Sequence, residues 1–276
     1  MLLLIFLLAM QADPVSRSWN QPVEPFRIAG NLYYVGASDI TSYLITTPKG
    51  HIVLDGGFVE TAPMIVANIR KLGFDEKDVK ILLSSHAHYD HAGGLAELKR
   101  LTGATLYASA GDLPQLARGG LDDPQFGNRF PFPPVWADRI LRDGQKVSLG
   151  GTTLTAHITP GHTRGCTTWT MKADSYDVVF VGSPSVPGDY RLIGNRAYPD
   201  AVSDYRRQFE ILRSLECDIF LASHGNFFDL EKKRALLNGD GGANPFVDRE
   251  GYHRFVTAAE RRFEDRVRNE GSAGSR

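Results

Sequence analysis

The sequence predicts an α+β protein in which two mixed β-sheets pack face to face with helices on their outer sides. Three observations carry that expectation. Strand-like and helix-like segments alternate twice along the chain, which suits two sheet-and-helix halves. Several strands are nearly continuous apolar runs, as strands covered on both faces are. No segment after residue 12 has the composition of a linker, so residues 13–276 are expected to form one domain. With 276 residues, 42% hydrophobic and 23% charged, the chain is long enough to bury a large core without staples.

Residues 1–12, MLLLIFLLAMQA, are uncharged and hold an apolar stretch too short to span a bilayer but suited to the core of a secretory signal. A signal peptide over 1–12, export to the periplasm and the absence of a stable membrane anchor are therefore expected. NLYYVG, TSYLITT and HIVLDGG then read as strands divided by Gly and Pro-Lys-Gly turns, an antiparallel set. Ile65, Val66, Ile69 and Leu72 recur at helical spacing, with Pro63 in the first turn and Gly73 as the stop. VKILLSS, 79–85, is a strand covered on both faces. Leu95, Leu98 and Leu101 mark a helix ending near Gly103, and TLYAS is the next strand.

The Pro- and Gly-rich stretch from Gly119 to Pro134 reads either as a flap over a site or as a surface excursion. Its Phe126, Phe130 and Phe132, like Trp19 near the N-terminus, either flank a substrate or belong to the core. RIL, KVSL, TLTAHITP, CTTWTMK and DVVFVG give five more strands between 138 and 182. Helical spacing returns in Val202, Tyr205, Phe209, Leu212 and Leu215, strand character in DIFLAS, and helical spacing again in Tyr252, Phe255, Ala259, Phe263 and Val267.

Thirty-one basic and thirty-two acidic side chains leave a net charge of -1 with no long basic block, so a nucleic-acid partner is not expected. RRFEDRVR interleaves its charges and reads as a solvated helix face. Cys166 and Cys217, the only cysteines, exclude a disulfide framework; a single bridge requires the fold to bring them together.

The chemistry is concentrated in SSHAHYDHAGG, 84–94, which places three of the eight histidines and one aspartate within six positions. Imidazoles are poor packing material, since each ring brings a donor and an acceptor to be satisfied. In extended backbone His86 and His88 point to the same side and can grip one ion, while Asp90 and His91 enter the next turn and aim elsewhere. His162 in TPGHTRG and His224 in ASHG each follow an apolar strand beside a glycine, where a loop at a sheet edge can aim a side chain at a shared point. Six such ligands divide into two three-ligand sites, each with an open position, as catalytic zinc requires. The set contains no thiolate, which favours a hydrolytic metal over a structural one. His51, His157 and His253 are expected to play ordinary structural parts.

HAHYDH resembles the H-x-H-x-D-H signature of the metallo-β-lactamase superfamily, with GHT, SHG and VLDGG matching its other motifs in order over about residues 27–270. The resemblance implies an αβ/βα sandwich with a binuclear site at one edge of the sheets. In VFVGS, Ser183 stands where many relatives carry an aspartate that bridges two metals. That loss, His91 as a ligand, and the stretch from Gly182 to Leu212 are similar to subclass B3. By this likeness His86, His88 and His162 hold one Zn2+, Asp90, His91 and His224 the other, and Ser183 and Ser185 contact substrate. Asp55 is expected behind the ligands, fixing a tautomer, tying down the ligand loop or capping a local turn. Cys217 stands where many members have the first cysteine of a C-terminal disulfide, but no cysteine follows it here.

The implied reaction is zinc-dependent hydrolysis of the amide of a small β-lactam antibiotic, a penicillin, cephalosporin or carbapenem, by a monomer that confers resistance. His86, His88, His162 and Asp90 carry the catalysis in this reading, with Asp90 orienting hydroxide or relaying a proton. A thioesterase or lactonase of the same superfamily is the rival enzyme, and a non-catalytic secreted metal-binding protein the rival from another class. No Ser-x-x-Lys occurs, which argues against a serine β-lactamase.

Overall fold

A computed structural model of the protein describes residues 14–188, 190–237 and 242–273; the proposed signal segment lies outside the described residues. In chain order the elements are α1 (Pro14–Trp19), β1 (Phe26–Ala29), β2 (Leu32–Tyr34), β3 (Tyr43–Thr47), β4 (Gly50–Leu54), α2 (Thr61–Lys71), β5 (Val79–Leu83), α3 (Tyr89–Ala92), α4 (Leu95–Thr102), β6 (Thr105–Ser109) and α5 (Leu113–Ala117). There follow β7 (Arg139–Leu141), β8 (Lys146–Leu149), β9 (Thr152–Ile158), β10 (Thr167–Ala173), β11 (Tyr176–Val181), α6 (Ala201–Ser214), β12 (Ile219–Ala222), α7 (Leu230–Leu237) and α8 (Arg249–Ala273).

Strands β1 to β7 form one sheet in sequence order, and β12-β11-β10-β9-β8 form the second. Pairing is antiparallel from β1 to β4 and parallel from β4 to β7; in the second sheet only β11 and β12 run parallel. Alternation along each strand decides what lies between the sheets. Tyr43, Ile45, Ile52, Leu54, Ile81 and Leu83 point inward to meet Leu154, Ala156, Trp169, Met171 and Phe180. Leu44, Val53 and Leu82 point outward, where Ile65 and Ile69 of α2 and Leu95 and Leu98 of α4 cover them. The rings of Tyr43 and Phe180 meet 5.0 Å apart between the sheets, and the Trp169 indole donates to the Ser84 carbonyl at 3.2 Å. The expected two-sheet sandwich is thus observed.

Helices α6 and α8 pack together through Phe263, whose ring lies 5.0 Å from Tyr205 and 5.7 Å from Phe209, while Tyr252 and Phe255 of α8 meet Phe220 of β12. Cys166 and Cys217 are both buried and unpaired, so aromatic packing and not a bridge holds the C-terminal helix. Among the described residues no helix is long and apolar enough to cross a membrane.

The sequence pattern does not reveal α1, β1, α5 and α7, which are short. One close approach shapes the site edge. A Cβ on Gly94 would lie 2.2 Å from the carbonyl oxygen of Gly56, so only glycine lets the start of α4 rest on the Asp55-Gly56-Gly57 turn. Asp55 itself has a left-handed φ of 66°.

Candidate metal centre

The segments following β5, β9, β11 and β12 open at one edge of the sandwich. Backbone bonds lock them to one another: Thr167 N–H to the Ser85 carbonyl at 2.7 Å, Ser223 N–H to that of Val181 at 3.0 Å, and Thr41 N–H to that of Ser223 at 3.2 Å. His88 is still extended, with φ −96° and ψ 156°, but α3 begins directly after it. Asp90 and His91 therefore leave on a helical turn while His86 and His88 remain on extended chain, and one motif supplies two groups of side chains.

In the first group, His88 Nδ1 faces His162 Nε2 at 3.0 Å. The His86 ring lies 5.0 Å from that of His88 and 4.7 Å from that of His162. In the second, His91 Nε2 is 3.4 Å from Asp90 Oδ2 and 3.2 Å from His224 Nε2, and His224 Nε2 is 3.6 Å from the same Asp90 oxygen. His86 adjoins both, its ring 4.3 Å from that of His91. All six sequence-predicted ligands thus meet at one place, five of them buried and His224 partly so.

These spacings fit zinc. Donors about 2.0–2.1 Å from a tetrahedral ion lie about 3.3 Å from each other, and the closest pairs here are 3.0–3.6 Å apart. His86 Nε2 is buried without a hydrogen-bond partner, an orphan that folded proteins rarely leave unless something else binds there. Five imidazoles and one carboxylate, with no thiolate, are a donor set for a hydrolytic metal.

Behind the ligands stand groups that hold them in place, as metal sites require. His162 Nδ1–H donates to the Ser185 carbonyl at 2.8 Å, and His86 Nδ1 lies 3.0 Å from the Ser85 hydroxyl. His224 Nδ1–H donates to Asp39 Oδ2 at 2.9 Å, and Asp39 Oδ1 accepts from Asn226 N–H at 2.7 Å. Asp55 Oδ1 accepts from Ser85 N–H at 2.6 Å, and its Oδ2 is 4.0 Å from His91 Nδ1. Of the alternatives for Asp55, the geometry shows a tie on the ligand loop.

Sequence reading missed Asp39, Asp112 and Asp123. Asp112 has the appearance of an ordinary cap for α5, yet its side chain makes no capping bond to that helix. Instead its Oδ2 accepts from Ala87 N–H and the Thr163 hydroxyl, and its Oδ1 from Gly165 N–H, at 2.8–3.0 Å. It thereby clasps the two loops that carry His86, His88 and His162. Nothing in the local sequence of these aspartates marks them, since the partners that tie them to the site lie 25 to 187 residues away.

Burial and the neighbouring imidazoles push the His86 imidazole well below its ordinary pKa; burial and His88 do the same for His162. Both rings are therefore neutral at pH 7, with lone pairs free to bind a cation. Burial by itself would raise Asp90, but His91, His224 and His88 outweigh it and hold the carboxyl well below the usual range. His91 is raised because the Asp90 carboxylate, with Asp55 and Asp39, overcomes the lowering effect of burial. Burial lifts Asp55 and Asp112 to about 6, against the pull of their hydrogen-bond donors and nearby histidines.

Ser183 is 1% exposed, and its hydroxyl lies 3.1 Å from that of half-buried Ser185, which in turn is 3.4 Å from His162 Nδ1. The 119–134 stretch closes over the first group: Phe126 meets the His88 ring at 4.9 Å, and Phe130 stacks on Tyr89 at 4.3 Å. Phe132 turns inward to the core beneath it. Trp19 stands edge-on to His224 at 5.4 Å. His51 packs on Phe74 and His157 bonds Thr170 at 2.9 Å, the structural parts expected of them.

An edge-of-sandwich site with two adjoining three-donor groups defines a metal-dependent hydrolase. Residues 35–224 match the metallo-β-lactamase superfamily, and the chain belongs to it. The FEZ-1 metallo-β-lactamase of Legionella gormanii is 44% identical with a TM-score of 0.89, over 91% of this chain and 98% of that one. BJP-1, a subclass B3 metallo-β-lactamase of Bradyrhizobium japonicum, is 39% identical with a TM-score of 0.85, over 92% and 97%. A Cronobacter sakazakii metallo-β-lactamase described by a HARLDQ motif is 42% identical with a TM-score of 0.90, over 93% and 98%. Against HAHYDH, that motif keeps the first histidine and the aspartate but has Arg and Gln where this chain has His88 and His91.

Curated relatives are more distant. The acyl-coenzyme A thioesterase MBLAC2 of Gallus gallus is 29% identical over 66% of this chain and 67% of its own length. The N-acyl homoserine lactonase AttM of Azorhizobium caulinodans is 32% identical over 45% of this chain and 56% of its own length. The chain thus spans from about half to two-thirds of such relatives, but nearly the whole of the solved neighbours.

Proposed function

We propose that the protein is an exported, monomeric enzyme that hydrolyses the amide bond of penicillins, cephalosporins and carbapenems with two zinc ions and so confers resistance. The observation that carries this reading is the pair of adjoining three-donor groups with Ser183, not a bridging carboxylate, at the end of β11. Support comes from the solved neighbours, which are metallo-β-lactamases over more than nine-tenths of the chain.

His86 Nε2, His88 Nδ1 and His162 Nε2 are assigned to one zinc; Asp90 Oδ2, His91 Nε2 and His224 Nε2 to the other. Zinc, when bound, supplies Lewis acidity toward the lactam carbonyl and makes water acidic near neutral pH, so no protein nucleophile is needed. The neutral rings of His86 and His162 give up no proton on taking a cation. Asp90 turns Oδ2 toward His91 and His224, which leaves Oδ1, on a carboxylate held ionised, to orient the attacking water and relay its proton to the departing nitrogen. The Ser185 hydroxyl holds the substrate carboxylate, and Ser183 acts through it by their mutual hydrogen bond. Phe126 and Trp19 wall the two ends and shield the ring being opened from bulk water.

Turnover of nitrocefin tests the reading. It should be lost to a chelator, restored by zinc and unaffected by a serine-directed inhibitor, with two zinc ions per chain by elemental analysis. Turnover of acyl thioesters or homoserine lactones without any β-lactam would establish the rival hydrolase. If neither class is cleaved and Asp90→Asn has no activity to remove, the chain only binds metal.

A further inference from the structure

Asp123, in the loop that covers the first group, faces two ways. Its Oδ1 accepts from the backbone N–H groups of Gln125 and Phe126 at 2.7 and 2.8 Å, and its own main chain pairs with Gly127 in both directions. Its Oδ2 leaves the loop and reaches His88 Nε2 at 3.4 Å, the two side chains being 4% and 3% exposed. Gln125 adds a second tie, donating its side-chain N–H to the His162 carbonyl. The conformation of the loop thus depends on a carboxylate, and that carboxylate leans on a ring of the first ligand group.

His88 presents Nδ1 to His162 and Nε2 to Asp123. A neutral imidazole has one proton for its two nitrogens. With the proton on Nδ1, Nε2 turns a lone pair toward an anion, and indeed Nε2 is buried here without a hydrogen bond. A cation on Nδ1 obliges the proton to sit on Nε2, where the contact becomes a charge-assisted hydrogen bond.

We propose that Asp123 is a positioning residue that couples metal occupancy of the His86, His88 and His162 group to the seating of the 119–134 loop. The same carboxylate organises the loop and senses which nitrogen of His88 carries the proton. Because coupling is reciprocal, seating the loop strengthens the metal site by the factor with which metal strengthens the seat. A loop that carries Phe126 to the site is then held there more firmly when the site is loaded. The inference rests on the assignment of His88 Nδ1 as a zinc ligand.

The full chain, Asp123→Ala and Asp123→Asn test it by two readouts: stepwise zinc affinity against a chromophoric chelator, and amide exchange at Gln125 and Phe126 with and without zinc. In the parent protein, zinc should slow exchange at those amides. Asp123→Ala should weaken one of the two sites about 10–100-fold, spare the other, and abolish the zinc-dependent part of the protection. Asp123→Asn keeps one acceptor oxygen, which can serve the loop amides or the His88 Nε2 proton but not both, so it should recover either the loop protection or the affinity without restoring the link between them, which a merely structural role would not predict. Exchange in the parent that ignores zinc overturns the coupling, as does unchanged affinity in Asp123→Ala. A parent protein that binds no zinc at all overturns the ligand assignment itself, a different result from two tight sites with no coupling.

Discussion

Replacing Asp112 with alanine should destabilise the metal-free protein, and by less at pH 7.5 than at pH 4.5. The carboxylate accepts three hydrogen bonds, from Ala87 N–H, Gly165 N–H and the Thr163 hydroxyl, and is 3% exposed. Each donor left unsatisfied costs about 1–3 kcal/mol, so the loss is about 3–9 kcal/mol before any offset. The offset is the cost of keeping the carboxyl buried and ionised. Its pKa stands at about 6 in the fold, chiefly through burial, against about 4 in the unfolded chain. Between those values the native state holds a proton that the unfolded state has released, so the contribution of this group to stability falls as pH rises through about 4 to 6. The difference is about 3 kcal/mol at about 1.4 kcal/mol per pKa unit. Alanine has nothing to titrate, and pH 4.5 already lies inside the window, so the deficit of Asp112→Ala should shrink by about 2 kcal/mol from the lower to the higher pH. Urea unfolding of both proteins in chelator, followed by circular dichroism, measures it, and the other carboxylates cancel between the two. A deficit that is constant or grows with pH would refute the reasoning.

Asp39→Ala removes the acceptor that fixes His224 Nδ1–H, and should weaken one zinc site about 10–100-fold with the fold intact; equal weakening of both sites in a chelator competition would mean general disruption. Phe263→Ala opens a hole between α6 and α8 and should cost about 3–5 kcal/mol, visible as a lower urea midpoint; a loss under about 1 kcal/mol would show that something else holds the C-terminal helix. Burial pushes the Cys166 thiol up and the Cys217 thiol to about 12, so neither should react with a thiol reagent at pH 8 until urea exposes both, and reductant should leave Tm unchanged. One fast thiol in the native protein, or a reductant-sensitive Tm, contradicts the unpaired, buried state.

The sequence by itself determined the longer elements and the six residues that converge at the site edge. A strand such as Tyr43–Thr47 or Val79–Leu83 reports its own burial through alternation or an apolar run, and a helix such as Ala201–Ser214 through its period. The spacing of HAHYDH likewise holds two ligand directions, because extended backbone and the first helical turn aim side chains differently. Tertiary structure alone decided which residues support them. Asp39 reaches His224 across 185 residues, Asp112 joins Ala87 to Gly165, and Asp123 reaches His88 from a loop whose own sequence reads equally as a flap or a surface excursion. It also decided that Ser183 is buried behind Ser185, and that Cys166 and Cys217 do not meet. A side chain's periodicity is written in its neighbours along the chain, whereas a buried carboxylate is defined by donors that only the completed fold delivers.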